Sequence, residues 1–396
     1  MRVYFAPCGI ALGHAGRCIP IAKALRSSGD EVFFSTYGEA VQFVKKASFP
    51  VGVVPPIRVF EKEDGEFDFR RTLSIGPKNL YAFALQVGAE LSLIEHFKPD
   101  VIVSDSRLST VLASRMRRIA SVLILHQLRI MIPHKRPIIR KSKLRVKANV
   151  ERLGLEMLGS LWKMSRVIVV PDFPPPYTIA KANVVPSNQY LKKLRLVGPV
   201  IPRRPDDLPE QEELKRSLGF DDRPLIFAAI SGTKAEKLMI TKTIAEIFRE
   251  FPDRYNIVLS RGLSDIPNTE TKLNGGRLRI YNWVDDRYKY LKACDLLVTR
   301  GGHNTVGEAI YYGKPMVVIP TIAHSEHQGI AESVEKMEIG RRIQQYDLSK
   351  EALCRAVDEV MNESCLRSVR AAQRFARRFN AIDSIAKITR EVAGKG

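Results

Sequence analysis

One stretch of the chain, Asp295 to Glu308, combines residue types that could hold a phosphate group. Its sequence is DLLVTRGGHNTVGE, in which Leu296–Thr299 is a short apolar run typical of a buried parallel strand. Residues 300–303, RGGH, predict a tight turn, and Asn304 and Thr305 lie where a helix would begin. A strand, a glycine turn and a helix N-terminus form an anion site, because free backbone N–H groups and the helix dipole point at the bound group.

The same stretch carries a carboxylate that could bind a sugar diol. Glu308 lies one turn into the predicted helix, near the same mouth. A carboxylate accepts hydrogen bonds only, and it can take two hydroxyl groups at once. A phosphate site beside a vicinal-diol site has the chemical outline of a ribonucleotide. The stretch therefore predicts the nucleotide-diphosphate end of a sugar-nucleotide site.

Strands and helices alternate along the first half of the chain, which predicts βαβ units and a parallel sheet. A glycine-punctuated loop over residues 7–16 precedes an amphipathic helix near Ile19–Ser28. The predicted strands of this half are Arg2–Ala6, Glu31–Thr36, Val101–Ser104, Ser121–Leu125 and Val167–Val170.

A second alternating series follows a proline-rich segment, Pro199–Pro209, that we interpret as an interdomain linker. The expected α/β fold has two doubly wound, Rossmann-like domains, residues 1–198 and 210–373, with a ligand cleft between them at the strand C-terminal ends. Basic helical segments fill residues 350–396. The predicted strands of this half are Leu225–Ile230, Tyr255–Leu259, Arg277–Tyr281, Leu296–Thr299 and Met316–Ile319, with helices within Lys234–Phe251, after Asn304 and from about Gln328.

Length and composition narrow the class of protein. The chain has 396 residues, which favours two domains over one. Its five cysteines show no CxxC spacing, which argues against a zinc site or a disulfide framework and fits a reducing compartment. The first residues enter a strand pattern directly, and no apolar run approaches the ~20 residues of a spanning helix. We expect a cytoplasmic protein that could lie against the inner face of the cell membrane.

The positive charge is concentrated in the first half. Residues 1–200 hold 31 Lys and Arg against 15 Asp and Glu, and residues 106–150 hold 12 Lys and Arg with no acid. Three interpretations stay open for the basic, aliphatic-rich segment 106–165: a solvated basic surface, a patch for anionic lipid headgroups, or a nucleic-acid surface. No DNA- or RNA-binding motif is recognisable, so we expect no nucleic-acid partner.

The residues named above resemble those of the MurG-like and UDP-glycosyltransferase superfamily of inverting enzymes with the GT-B fold. The resemblance extends over nearly the whole chain, in the family's order. It is carried by Gly13-His14-Ala15-Gly16-Arg17 with Pro20, Ile230-Ser231-Gly232-Thr233, Asn282-Trp283-Val284-Asp285-Asp286, Arg300-Gly301-Gly302-His303-Asn304-Thr305-Val306-Gly307-Glu308, Gly313-Lys314-Pro315, Pro320 and His327-Gln328.

The resemblance implies a UDP-sugar donor and no cofactor or bound metal, because fixed dipoles can stabilise the leaving diphosphate. It also implies that Glu308 accepts the ribose hydroxyls, that Val284 meets the uracil edge through its backbone, and that His327 and Gln328 contact the donor sugar. The family often has an acid where His327 stands. The implied nucleotide-sugar-binding residues are Gly13, Ser231, Gly232, Thr233, Trp283, Val284, Arg300, Gly301, Gly302, His303, Asn304, Thr305, Glu308, His327 and Gln328.

On the acceptor side, His14 is the candidate base. A neutral imidazole suits removal of the acceptor hydroxyl proton during attack on the anomeric carbon. Asp105 follows a strand and either orients His14 or caps the next helix; both interpretations stay open. His126 and Gln127 resemble the acceptor-side loop of the MurG branch, and the C-terminal tail, residues 374–396, is expected to return to the first domain, as in similar proteins.

We therefore expect an inverting, metal-independent hexosyltransferase that moves a sugar, GlcNAc as the first hypothesis, from a UDP-sugar to a lipid or lipid-linked hydroxyl acceptor. Two alternatives stay open. A UDP-sugar 2-epimerase of the same architecture would need several cleft carboxylates for proton transfer at C2. A non-enzymatic protein that binds nucleic acid would leave the nucleotide site unused.

Overall fold

The fold consists of two seven-stranded sheets whose strands are connected by helices. The structure is a computed structural model that describes residues 1–10, 12–57, 76–128, 141–184, 188–263, 266–322 and 324–394. Over these residues all neighbouring strands are parallel except one pair at an edge of the second sheet. The expected α/β architecture with two doubly wound sheets is confirmed.

The first sheet has the strand order β3-β2-β1-β4-β5-β6-β7. Because the order reverses between β1 and β4, a crevice opens at the C-terminal ends of these two strands, where such sheets bind ligands. The strands are β1 (Arg2–Pro7), β2 (Glu31–Thr36), β3 (Val51–Val53), β4 (Val101–Asp105), β5 (Ser121–Ile124), β6 (Val167–Val170) and β7 (Leu194–Leu196). The helices are α1 (Gly13–Ser27), α2 (Glu39–Lys46), α3 (Gly76–Phe97), α4 (Leu108–Met116) and α5 (Lys141–Trp162).

The second sheet has the order β10-β11-β9-β8-β12-β13-β14, so its reversal lies between β8 and β12. The strands are β8 (Leu225–Ala229), β9 (Asn256–Ser260), β10 (Glu270–Leu273), β11 (Leu278–Tyr281), β12 (Leu296–Thr299), β13 (Met316–Val318) and β14 (Gly340–Arg342). The helices are α6 (Gln211–Ser217), α7 (Lys234–Arg249), α8 (Arg287–Ala293), α9 (His303–Tyr312), α10 (Ser325–Lys336), α11 (Lys350–Val360), α12 (Glu363–Ala376) and α13 (Ala381–Ala393).

The central strands form because their side chains are buried on both faces. In β12 all four residues, Leu296 to Thr299, are fully buried, and the apolar run of β4 is buried in the same way. Such continuous apolar runs are the signature of parallel strands covered by helices. They fix the positions of the loops at the strand ends, which carry the candidate site.

Several element boundaries differ from those predicted. Helix α1 begins at Gly13, six residues before the predicted Ile19, so His14 lies in its first turn and not in a glycine loop. Helix α10 begins at Ser325, which places His327 and Gln328 inside its first turn. The strands β3, β7, β10 and β14 were not predicted; each is three or four residues long and lies at or next to a sheet edge.

The C-terminal helices connect the two halves of the molecule. Helix α12 packs on α9, and α13 packs on α1 and beside β4 and β5. Ile385 of α13 is fully buried in the core of the first sheet, and Arg390 donates to Asp30 at 2.9 Å. The last helix therefore returns to the first half, whereas Arg374, where the tail was predicted to begin, still belongs to α12.

Candidate active site

Two glycine loops meet at the reversal point of the second sheet. Ser231 and Gly232 follow β8, and Gly301 and Gly302 follow β12. A Cβ on Gly302 would lie 3.4 Å from Ser231 Oγ, so the two loops face each other. Gly232 has φ +131° and Gly301 has φ +83°, conformations that only glycine adopts without strain. The predicted phosphate loops are therefore neighbours in space.

Two helix N-termini open at this junction. Helix α7 begins after Thr233, whose backbone N–H donates to Glu236 Oε2 at 2.9 Å in a capping box. Helix α9 begins at His303, directly after Gly302, with Asn304 and Thr305 partly exposed in its first turn. Both ends present free N–H groups and positive partial charge. The junction can therefore hold an anionic diphosphate.

Arg300 supports these loops from beneath. Its side chain is fully buried, donating to Gln345 Oε1 at 2.9 Å and to Thr321 Oγ1 at 2.7 Å. Its Nη2 lies 3.8 Å from Glu236 Oε1. In this conformation Arg300 connects the β12 loop to the β13 loop, and its guanidinium does not reach the cleft surface.

Glu308 is almost completely buried, with 2% of its surface exposed. Its Oε1 accepts hydrogen bonds from Arg287 and from Tyr288 Oη, the latter at 3.0 Å. Burial raises the pKa of Glu308, and the Arg287 guanidinium opposes that rise. Oε2 has no hydrogen-bond partner among the described residues, so one oxygen stays available for ligand hydroxyls.

The loop between β11 and α8 forms one wall of a pocket. Trp283 is 36% exposed, whereas Val284 is 7% exposed. Both line the pocket together with Asn268, Asp285 and Lys289. Asp286 caps α8 by accepting from Tyr288 N at 3.2 Å. With the Trp283 side chain in its lining, the pocket is suited to a planar ring such as a nucleobase.

The predicted sugar-contacting residues lie in the first turn of α10. His327 Nδ1 is 3.0 Å from Thr321 Oγ1, and Gln328 donates to Thr321 O at 3.2 Å. Gln328 also exchanges hydrogen bonds with Gln344, so its amide is held at both ends. Burial lowers the pKa of His327 well below its usual range, and the nearby His324 and Arg300 lower it further. His327 is therefore a neutral imidazole.

On the opposite side of the cleft, His14 and Asp105 lie at the reversal point of the first sheet. His14 Nδ1 is 2.8 Å from Asp105 Oδ1. Asp105 is the last residue of β4 and is fully buried, whereas helix α4 begins only at Leu108 without a side-chain cap. The structure thus favours the orienting role of Asp105, and the helix-capping interpretation is wrong.

Arg17 is a site residue to which the sequence analysis assigned no role. It lies one turn after His14 on α1 and is 4% exposed. Its Nε donates to Asp105 Oδ2 at 2.5 Å and its Nη2 donates to Asp105 Oδ1 at 2.7 Å. Burial alone would raise the pKa of Asp105, but the Arg17 guanidinium and the His14 ring hold it well below its usual range. Asp105 is therefore a permanent anion.

His126 follows β5 and stands beside the pair. Its ring centroid is 5.5 Å from that of His14, and its Nδ1 is 3.1 Å from Arg17 Nη2. Burial lowers the pKa of His126 well below its usual range, and the neighbouring Arg17, His14 and His303 lower it further. His126 is therefore neutral at physiological pH.

Three contacts bring the two sides of the cleft together. A Cβ on Gly13 would lie 3.8 Å from Asn304 Nδ2. Gln127 donates to Glu326 Oε2 on α10. His303 Nε2 is 3.2 Å from Asp172 Oδ2, which follows β6. The His14 turn therefore directly faces the β12 glycine loop.

Three more site residues that the sequence did not reveal are Asp172, Arg287 and Thr321. Asp172 accepts from three backbone N–H groups, of Phe173, Ile179 and Ala180, and so shapes the wall that meets His303. The one available signal was spacing, because Arg17 follows His14 by three residues and so shares its helix face.

Two features are absent from the described residues. No group of three or more His, Cys, Asp or Glu side chains there is arranged to hold a metal ion. No helix in the same ranges has the length and apolar character needed to cross a membrane.

Comparison with known proteins identifies the fold and the class. The crystal structure of the glycotransferase of kitacinnamycin superposes with a TM-score of 0.71 at 18% identity, covering 99% of this chain and 98% of that one. This likeness shows the fold, which is the GT-B architecture of two Rossmann-like domains.

The sequence comparisons indicate the class of protein, a glycosyltransferase. Residues 231–385 match the model of the glycosyltransferase family 28 C-terminal domain. An uncharacterized glycosyltransferase of Methanosarcina mazei is 26% identical over 100% of this chain and 99% of its own length. A UDP-N-acetylglucosamine–N-acetylmuramyl-(pentapeptide) pyrophosphoryl-undecaprenol N-acetylglucosamine transferase of Desulforudis audaxviator is 24% identical over 100% of both chains. The chain is therefore a glycosyltransferase with the GT-B architecture, and its sequence is similar to that of this N-acetylglucosamine transferase.

Proposed function

We propose that this glycosyltransferase transfers GlcNAc from UDP-GlcNAc to a hydroxyl acceptor with inversion at the anomeric carbon, and that His14 is the base. The observation that carries the proposal is the placement of the His14–Asp105 pair, 2.8 Å apart, opposite the β12 glycine loop. A base on one wall and an anion site on the other provide the two groups that a displacement requires.

The donor half of the reaction needs stabilisation of the leaving diphosphate. As the bond from the anomeric carbon to the β-phosphate oxygen breaks, its electron pair stays on that oxygen. The N-termini of α7 and α9 and the Ser231 hydroxyl lie together at the two glycine loops, and we propose that they bind this diphosphate. Preorganised dipoles in a closed cleft stabilise such charge without reorganisation, so we propose that the reaction needs no metal.

The acceptor half needs removal of a proton. His14 Nδ1 faces the permanently charged Asp105, so the other ring nitrogen, Nε2, is the one that takes the acceptor hydroxyl proton. The acceptor oxygen then bonds the anomeric carbon on the face opposite the diphosphate. The Asp105 carboxylate stabilises the resulting imidazolium and holds the ring in its orientation.

The free oxygen of Glu308 supports a ribonucleotide donor. We expect UDP to stabilise the protein in thermal unfolding, by about 2.7 kcal/mol at ~100 times its dissociation constant. UDP-GlcNAc, dTDP and GDP are compared with UDP in the same thermal unfolding measurement. A chelator is present, so that any stabilisation is independent of metal ions. In Glu308→Ala the UDP dissociation constant should rise about tenfold or more, because hydrogen bonds to a charged group are lost.

Tyr288→Phe is the matched control, because it removes one protein partner of Glu308 but keeps the carboxylate. The Tyr288→Phe protein should still be stabilised by UDP in thermal unfolding. An equal shift with UDP and dTDP, unchanged in Glu308→Ala, would contradict the ribose assignment. No shift with any nucleotide would contradict the proposed function itself.

The surroundings of His327 support a donor sugar with an acetamido group. Arg300 can only donate to Thr321 Oγ1, and Thr321 is 1% exposed. The buried Thr321 hydroxyl is therefore satisfied only when it donates to His327 Nδ1, which leaves the proton of His327 on Nε2. Nε2 has no partner among the described residues. An N–H here can donate to the carbonyl oxygen of an acetamido group, whereas an ionised acid in its place can only accept and so cannot bind that carbonyl.

The basic first half supports a membrane-borne acceptor. Leu153 and Met157 on α5 are 62% and 65% exposed. Burial lowers the pKa of Lys193, and the nearby cations Arg166, Arg115 and Lys163 lower it further, which indicates a local excess of positive charge. Exposed apolar side chains among cations suit anionic headgroups. Residues 129–140 of the predicted patch lie outside the described residues.

Vesicle sedimentation tests this surface. The protein should sediment with phosphatidylglycerol vesicles at low salt, less at high salt, and not with phosphatidylcholine vesicles. Leu153→Glu combined with Met157→Glu should weaken the association, whereas Tyr346→Glu, at a site on the second half with 74% exposure, should not. Equal sedimentation of all variants would show that this surface does not contact lipid.

A further inference from the structure

Arg17 contacts three side chains of the acceptor-side site, Asp105, His14 and His126. One guanidinium bonds both oxygens of Asp105 and lies within 3.1 Å of Nδ1 of two histidines, His14 and His126. It is 4% exposed, and it projects from the helix turn that follows the base. Its place at the centre of the cluster indicates a role beyond a surface ion pair.

The donors and acceptors around Arg17 assign the protons of both rings. A guanidinium only donates, and Nη2 has two hydrogens. One goes to Asp105 Oδ1 at 2.7 Å, and the other can reach His126 Nδ1 at 3.1 Å. His126 Nδ1 is therefore the acceptor nitrogen, and the proton of that neutral ring lies on Nε2.

His14 takes the opposite tautomer. Its Nδ1 is 2.8 Å from the carboxylate oxygen of Asp105, which can only accept. An unprotonated nitrogen at that distance would repel the carboxylate, so Nδ1 carries hydrogen and Nε2 keeps its lone pair. The contact of 2.8 Å between Arg17 Nη2 and His14 Nδ1 is then a close approach and not a hydrogen bond.

We propose that Arg17 is a positioning residue, which clamps Asp105 and gives the two cleft imidazoles opposite tautomers: His14 with a free Nε2 lone pair, His126 with an Nε2–H. The proposal rests on the proposed role of His14 as base. The two rings then have different roles. His14 accepts a proton at Nε2, whereas His126 can only donate a hydrogen bond from Nε2–H to a bound oxygen.

The clamp also sets the charge around the base. Asp105 at the end of β4 is the anion that faces His14, and Arg17 on α1 neutralises it. His126 after β5 is the other titratable ring on this side. Beyond His126 lie His303 of α9 with Asp172, and Glu326 of α10, whose Oε1 is 3.7 Å from His126 Nε2. Removing only the charge of Arg17 leaves Asp105 free to favour the imidazolium of His14.

Two variants separate charge from geometry. Arg17→Lys keeps the positive charge but cannot form the bidentate hydrogen bonds to Asp105. Arg17→Met keeps an aliphatic side chain of similar length but removes the charge. In proton–nitrogen correlation spectra of histidine-labelled protein, wild type should show the Nδ1–H form for His14 and the Nε2–H form for His126. Signals are assigned by their loss in His14→Gln and His126→Gln. Both Arg17 variants should show mixed tautomers for His126.

Kinetics provides the second readout, as UDP released from UDP-GlcNAc with a lipid extract as acceptor source. Both variants should lose about tenfold in kcat with KM for the donor little changed, because ordering of the base contributes to its efficiency. The acidic limb of the pH–rate profile should move to higher pH in Arg17→Met and stay in place in Arg17→Lys. Methylguanidinium below denaturing concentration should restore part of the kcat of Arg17→Ala.

The outcomes separate the two proposals. Unchanged His126 tautomers in folded Arg17→Lys, or wild-type tautomers other than those assigned, would overturn the clamp even if His14 is the base. If Arg17→Met does not fold, the histidine tautomers of Arg17→Lys and of the wild type still test the proposal. Wild-type transfer by His14→Ala would instead overturn the base, and with it the purpose of the clamp.

Discussion

His14→Ala should keep UDP-GlcNAc binding and lose transfer by about 10²–10⁴-fold, the range that a positioned general base contributes. The side chain is 16% exposed at the cleft, and its hydrogen bond to buried Asp105 holds it there. Among the described side chains that lie beside Asp105, we expect none to replace it as base, because the proposed Nε2–H tautomer of His126 can only donate there. The measurement is single-turnover release of UDP, with donor affinity followed separately.

His96→Ala is a matched control, a histidine in the last turn of α3 that takes no part in the cluster. It should transfer at the wild-type rate. Transfer by His14→Ala within a few-fold of wild type would remove the base assignment. A parallel loss of donor binding would instead place His14 in the donor site.

His327→Glu should lower kcat/KM for UDP-GlcNAc by about 10–10²-fold, because a carboxylate replaces the N–H that we assign to the acetamido carbonyl. For UDP-glucose, whose C2 hydroxyl can donate, the loss should be smaller or reversed. The ratio of the two kcat/KM values is the quantity to measure, since it cancels changes in enzyme concentration and folding.

His327→Gln is the matched control, because the amide N–H of glutamine can replace the imidazole Nε2–H. It should keep the preference for UDP-GlcNAc. If the Glu and Gln variants show the same ratio as wild type, His327 does not face the sugar, and the donor assignment loses its main support.

The fold could be predicted because its central strands are continuous apolar runs. Leu296–Thr299 and Val167–Val170 were predicted with the bounds that the structure has. The reason is physical: strands buried on both faces have little freedom in composition. The edge strands β10 and β14 contain Glu, Lys and Arg side chains, which carry no such signal.

The site could be predicted where all its residues belong to one continuous motif. It could not be predicted where the interacting residues come from distant segments of the chain. The glycine turn of β12 and its helix follow from residues 300–308 alone. By contrast, Arg17 is 88 positions from Asp105, and Asp172 is far from His303 in the chain. Such pairs arise from sheet order, which periodicity does not reveal. The start of α1 was missed because glycines at 13 and 16 predict a loop, although Gly13 begins the helix.

The chain passes between its two halves twice, and both passages touch. The first runs through Gly198, and the second through Phe379, between α12 and α13. A Cβ on Gly198 would lie 2.7 Å from Phe379 Cβ, and Phe173 packs on Phe379 with ring centroids 5.8 Å apart. Two adjacent covalent crossings act as a pivot: the halves can swing about this point, while sliding past each other would strain both passages. We therefore expect the cleft to widen by an angular motion, in which the His14 turn would move along an arc relative to the glycine loop that it faces.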